Sequence, residues 1–167
     1  MCWLVAKKVA YLGMFTALAL VLGWLESLVP LSFAVPGIKI GLANVVTLLV
    51  LYRFGAKEAF TVACLRIILS TLLFGKLSLF LYSLSGVVLS LTGMIILKKT
   101  DKFSTVVISI VGGVLHNAGQ LVMAVILIQN TVVFYYFPIL AAAGVIAGAL
   151  VGILGAVLNN HLPQNLK

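Results

Sequence analysis

The chain alternates between long apolar runs and short polar or Pro/Gly breaks, and the runs are much longer than any strand requires. Apolar stretches cover Val9–Val29, Ile38–Tyr52, Ala59–Phe74, Leu77–Leu97, Thr105–Ile128 and Phe137–Leu158. A membrane barrel strand needs only about ten residues with a two-residue alternation, whereas these runs are apolar on every face. In lipid no water is at hand to satisfy backbone N–H and C=O groups, so an apolar run of this length must be a helix. The pattern predicts an all-α membrane protein: one domain over residues 1–167, a single bundle of six transmembrane helices. The breaks agree with it. Pro30 closes the first run, and the Pro30–Gly37 segment, with two prolines and a glycine, excludes a continuous helix. Lys7 and Lys8 would also suit a signal peptide. The first run is long, however, and no small-x-small cleavage site precedes Trp24, so it is expected to remain as a span.

Composition narrows the class further. The chain is 63% hydrophobic and 8% charged, with a mean hydropathy of +1.29, against roughly one-quarter charged residues in soluble domains. Its 167 residues hold about six spans of roughly 20 residues each, leaving no room for a separate soluble domain. The net charge of +8 does not suggest nucleic acid, because the basic residues lie singly or in short clusters between apolar runs. Their distribution orients the bundle instead. With the N terminus inside, Lys7, Lys8, Arg53, Lys57, Lys98, Lys99, Lys102 and Lys167 share one side, and only Lys39 and Lys76 fall on the other. The positive-inside rule then places both termini in the cytoplasm, and a prokaryotic cell membrane is expected.

Catalysis finds little material. Glu26, Glu58 and Asp101 are the only acids, and no two share a helix face, so no carboxylate pair can hold Mg²⁺ for diphosphate chemistry. No nucleotide-binding loop, zinc-protease motif or nucleophile elbow is present. Cys2 and Cys64 give neither a disulfide framework nor metal-ligand spacing. A protein without catalytic activity, metal or cofactor is expected.

One residue changes the picture. Arg66 lies halfway along the third run, between Leu65 and Ile67. A cation at mid-bilayer costs at least a few kcal/mol, so it normally faces a protein interior or a wet cavity, and a fixed buried cation calls for an anionic partner. Ser70 is one turn further out on the same face. Lys39 sits at the outer mouth of the second run, with Asn44 deeper, and Tyr82 lies in the outer half of the fourth. His116, Asn117 and Gln120 fall within a roughly 100° arc of the fifth helix, above Gly112 and Gly113. Together these residues point to a substrate pocket between helices for a small anion or zwitterion. Plainer readings stand beside this one. Asn117 and Gln120 also suit interhelical hydrogen bonds worth about 0.6–2 kcal/mol, and His116 suits a satisfied interior position. Lys39, Lys76 and Glu26 suit snorkelling anchors, Tyr82 and Trp24 an aromatic belt, and Arg66 a structural pair with Glu26. The pocket reading rests on convergence: the polar residues gather in the middle and outer half, and the cytoplasmic halves are comparatively plain.

Small residues form a second pattern. Gly144, Gly148 and Gly152 recur every fourth position with Gly155 beyond, and Ser83, Gly86, Ser90 and Gly93 share a helical spacing; both stripes suit close internal helix packing. On the first helix Ala6 with Ala10, and Gly13 with Ala17, form a face open to two uses, internal packing or docking of a partner membrane protein.

The stretch Val35-Pro-Gly-Ile-Lys-Ile-Gly-Leu-Ala-Asn-Val-Val-Thr-Leu-Leu49, followed by Leu65-Arg66, Leu73-Phe-Gly75, Ser83-x-Ser-Gly86 and Gly113-x-x-His116-Asn-x-x-Gln120, resembles the membrane proteins known as heptaprenyl diphosphate synthase component I, or the Gx transporter family. The resemblance spans nearly the whole chain and is most specific at Gly37–Asn44 and His116-Asn117. Through that family the chain is similar to the substrate-binding S components of energy-coupling factor (ECF) importers. The resemblance implies six helices with both termini inside, a pocket near the outer face and the first loop as its lid. It also implies a transmembrane T component docked on the small-residue face of the first helix, and two ATPase subunits. The family name suggests an alternative: a non-catalytic membrane subunit assisting polyprenyl diphosphate or quinone synthesis, with Arg66 holding a diphosphate.

Overall fold

The computed structural model describes residues 2–28, 41–74 and 77–161. Within them the chain forms α1 (Cys2–Leu28), α2 (Leu42–Arg53), α3 (Ala56–Phe74), α4 (Leu77–Lys99), α5 (Thr105–Ile128), a 3₁₀ turn over Thr131–Tyr136, and α6 (Phe137–His161). The all-helical architecture and the count of six agree with the hydropathy pattern. The boundaries shift: α1 begins at Cys2 rather than Val9, because Lys7 and Lys8 are good helix formers and the helix runs on past the apolar stretch.

Among the described residues, four helical segments are long and apolar enough to cross a membrane: Ala6–Leu28, Leu77–Lys99, Thr105–Ile128 and Thr131–His161. The other two, which are also the shortest apolar runs in the sequence, fall short of that length or carry more charge. The described α2 has 12 residues, roughly 18 Å of helix, and α3 carries Lys57, Glu58 and Arg66 within its 19 residues. Outward-facing positions such as Val9, Leu72, Ile96, Ile146 and Ile153 are exposed. An apolar exterior of this kind, on helices of this length, fits lipid as the solvent.

The six helices close into a ring. α2 packs on α1 and α6, α6 on α5, α5 on α4, α4 on α3, and α3 back on α1 and α2. α2 is the most enclosed element: Ala43 and every residue from Val45 to Leu51 are buried, as a helix apolar all round requires. Around it pack Phe15 and Ala19 of α1, Ala59, Val62, Ala63 and Ile67 of α3, and Val87, Leu91 and Met94 of α4.

The glycine stripes act where backbones meet. A Cβ on Gly148 would lie 2.7 Å from both Ile110 Cα and Ser109 O, one on Gly152 2.8 Å from Val106 Cα, and one on Gly119 2.6 Å from Ser85 O. The α4–α5 and α5–α6 contacts are thus backbone-to-backbone, and the internal-packing reading of both stripes holds. On α1, by contrast, Ala6, Ala10, Gly13 and Ala17 are all exposed, and nothing lies within 4 Å of a Cβ built on Gly13.

Charged side chains tie one end of the ring together. Lys8 Nζ lies 2.5 Å from Glu58 Oε1, linking α1 to α3. The Arg53 guanidinium donates to the Asn159 carbonyl, linking α2 to α6. Lys98 Nζ donates to Leu51 O at 2.6 Å and lies 4.7 Å from the centroid of the Tyr52 ring. That lysine serves a carbonyl at the α2 C-terminus that has no partner within its own helix. Gly55, in the left-handed region at φ 113°, carries the chain out of α2 with its N–H on Val50 O. The start of α1 and the end of α6 therefore share the lysine-rich end of the bundle.

Candidate functional site

Toward the opposite end the ring encloses a cavity of about 480 Å³ to which all six helices contribute, within the size range of small-molecule sites. Its lining is mixed. Asn44, Arg66, Ser70, His116, Asn117 and Gln120 form a polar belt, and Leu48, Val87, Leu91 and Val151 lie among them. Six of the residues singled out by sequence thus meet at one cavity, although they come from three helices, α2, α3 and α5. Lys39 and the expected Pro30–Gly37 lid fall outside the described residues.

Arg66 reaches this space half-buried from α3. Among the described residues no carboxylate lies within ion-pair distance of its guanidinium. The structural pair with Glu26 is therefore not formed, although Glu26 lines the same cavity. Nor is Glu26 a snorkelling anchor. Its Oε1 accepts a 2.6 Å hydrogen bond from the backbone N–H of Gly41. Gly41 has φ 83° and starts α2, a backbone conformation that a Cβ would strain. The carboxylate satisfies an N–H that the helix cannot, and sits where the helix dipole favours negative charge. This clamp between α1 and α2 had one sequence signal, an acid near the end of an apolar helix, and its partner fifteen residues away was not legible. Glu26→Gln is expected to keep the fold and lower its stability by about 1–2 kcal/mol, since a charge-assisted bond becomes a neutral one. Thermal unfolding in detergent measures this.

The polar residues of α5 divide their roles. Asn117 Nδ2 donates to Leu140 O at 2.7 Å, so part of this amide is engaged with the α6 backbone while the residue still lines the cavity. His116 packs its ring against the bare backbone of Gly86; a Cβ there would lie 2.8 Å from His116 Cε1. Gly86→Ala is therefore expected to displace the imidazole from its place in the wall and weaken any ligand contact it makes. The loss should appear as lower affinity with little change in folded yield, because the ring, unlike backbone, can move.

Tyr82 is a correction. On α4 the lining residues are Leu79, Ser83, Val87, Ser90, Leu91 and Met94, and Tyr82 is one step, about 100°, off that stripe. A second correction concerns depth. The half toward the lysine-rich end is not plain, because Thr47 of α2, Ser90 of α4 and Ser109 of α5 are among the residues of the lower wall. The small-residue spacing of α4 assigns Ser90 to packing, and nothing local in the sequence marks Thr47 or Ser109 beyond the place of Thr47 three residues after Asn44, on the same helix face.

Among the described residues no group of three or more His, Cys, Asp or Glu side chains could hold a metal ion. The arrangement offers one cation, several amide and hydroxyl groups, and an apolar frame: the means to hold and orient a small charged molecule.

The model of a family described as heptaprenyl diphosphate synthase component I matches residues 15–158, nearly the whole bundle. No curated protein and no solved structure matches the chain.

Proposed function

The chain belongs to the heptaprenyl diphosphate synthase component I family, and from that premise we propose that it is a non-catalytic, substrate-binding membrane subunit that captures a small anionic or zwitterionic nutrient, as the S component of an ECF-type importer does. In this reading all six helices span a prokaryotic cell membrane with both termini cytoplasmic. Support comes from the gathering of Lys8, Arg53 and Lys98 at the end where the chain enters α1 and leaves α6. The cavity then opens toward the outside.

The observation that carries the proposal is Arg66: a guanidinium in the wall of a cavity of about 480 Å³, with no carboxylate at ion-pair distance among the described residues. A cation so placed is worth its desolvation cost only if an anion joins it. Asn44, Ser70, His116, Asn117 and Gln120 orient that anion, Lys39 and the first loop close over it, and partner subunits supply the energy. The exposed face of Ala6, Ala10, Gly13 and Ala17 suits close approach of the T component, since small residues let backbones meet in lipid.

Gentle extraction of the tagged protein from its native membrane tests this. A T component and two ATPases should co-purify, together with a small anion seen by native mass spectrometry. The family description favours a second reading, in which the same cation belt holds the diphosphate of a prenyl chain for a soluble synthase. Co-purification of that synthase, with no ATPase, would replace the first reading with the second.

A further inference from the structure

Among the described residues, Arg66, Glu26 and His116 are the only titratable side chains that line the cavity. α2, α4 and α6 bring no charged side chain to that wall, and the Glu26 carboxylate is held by the Gly41 N–H. Arg66 and His116 are therefore the two described groups that can offer positive charge to a ligand.

The two lie at one level. Arg66 is eight residues before Phe74, where α3 ends, and Gly86 is nine residues after Leu77, where α4 begins. At the helical rise both sit about 12–14 Å below the α3–α4 connection, on helices that pack together. His116 of α5 lies against that Gly86. A Cβ there would be 2.8, 2.9 and 3.0 Å from Cε1, Nδ1 and Nε2 of its ring. Near-equal distances to three consecutive ring atoms place that point over the imidazole face, so the ring lies flat on the α4 backbone. Its two nitrogens, which carry its hydrogen bonds, then run along the wall and not into α4.

A guanidinium repels a second cation at its own level, and an anion placed between the two removes that repulsion. Histidine is the side chain able to change its charge in this way near neutral pH. We propose that His116 joins Arg66 as an imidazolium when the site is filled, that one proton is taken up from solution with the ligand, and that the ligand's anionic group is doubly charged, as in a phosphate monoester. This rests on the reading of the cavity as an anion site and names the charge of what it takes. A monoanion would be matched by Arg66 alone and would leave the imidazole neutral.

The test compares sulfate with methanesulfonate, tetrahedral probes that differ by one charge and do not themselves titrate from about pH 5.5 to 8.5, the range in which histidine does. Calorimetric titration of the detergent-purified protein, in two buffers of different ionisation enthalpy, gives both the affinity and the protons taken up. Sulfate should bind about tenfold more weakly for each unit rise in pH at the steep part of its profile, the mark of one proton bound with it. Methanesulfonate should be nearly flat, and the weaker ligand at the acid end. His116→Gln keeps hydrogen-bonding groups without the proton, so it should flatten the sulfate profile at the wild type's alkaline level and spare methanesulfonate. The chain's other histidine is the control. His161 is exposed at the lysine-rich end, its Nδ1 2.9 Å from Val157 O, and His161→Gln should leave both profiles intact. A flat sulfate profile in the wild type, or a slope that survives in His116→Gln, overturns the role of His116. Arg66→Ala then decides the anion site separately, by whether it weakens both probes. Loss of both probes in His116→Gln at every pH makes the residue structural and also overturns the proposal. If neither probe binds to the wild type at any pH, the anion reading falls and this inference with it.

Discussion

Arg66→Ala is expected to lower the affinity for a small anion by between about thirtyfold and a few thousandfold, the range for truncating one partner of a buried, hydrogen-bonded charge pair. Equilibrium binding to the purified protein measures it. Two features of the site make the effect large. The cation sits among helices with no carboxylate at ion-pair distance among the described residues, so nothing on the described wall can replace it. The medium around it is also less polarisable than water, which strengthens the attraction it exerts. Stability should move the other way. Removing a half-buried cation with no carboxylate at ion-pair distance among the described residues relieves a desolvation penalty, so the ligand-free variant should melt at or above the wild-type temperature. Arg66→Lys should recover part of the affinity, because the charge remains and the bidentate fork does not. Unchanged binding in Arg66→Ala would remove the basis of the capture model, and a fall in stability without ligand would assign Arg66 to the scaffold.

Gly148→Leu is expected to abolish the folded bundle, read as loss of the monodisperse peak after extraction and of cooperative melting. The reason is geometric. A Cβ at this position already falls 2.7 Å from Ile110 Cα and from Ser109 O. Both are backbone atoms on the facing helix, and neither can rotate away. Relief requires α5 and α6 to separate, which would also open the Gly144 and Gly152 contacts. Even Gly148→Ala should cost about 1–3 kcal/mol of overpacking, more than the gain of about 1 kcal/mol that alanine brings in helix propensity. Gly13→Ala is the matched control: with nothing within 4 Å of its Cβ, only the propensity gain remains and the isolated protein should be unchanged or slightly more stable. The larger Gly13→Leu should leave the isolated protein folded as well, but block association with a partner that docks on α1. If Gly13→Leu left co-purification of every partner intact, that face would not be the docking surface.

Much of the site was legible because its strongest member breaks a local rule. A lone arginine in an apolar run is visible without any knowledge of the fold, and the 100° arc of His116, Asn117 and Gln120 follows from helical geometry alone. The misassigned positions lie where two helices meet. Tyr82 and Ser83 are neighbours in sequence, and nothing local states which of them faces the cavity. Glu26 looked like an interfacial anchor because its partner is a backbone N–H, which a sequence does not advertise. Thr47 looked like any other helical threonine, although its hydroxyl does not make the i−4 bond that Thr16, Thr61, Thr71 and Thr92 make.

Hydropathy by itself determined the class of the protein, its six helices and the clustering of its lysines, because each follows from how a local stretch of chain meets water or lipid. Only the tertiary structure decided which face of each helix looks inward, that Glu26 holds the start of α2, and that the cavity descends past Arg66 to Thr47, Ser90 and Ser109. The physical reason is that helices apolar on every side have no polar face to orient them. Their rotation is set by where glycines on distant segments let backbones touch, such as Gly148 against Ile110 and Gly119 against Ser85, and that pairing exists only once the bundle has closed.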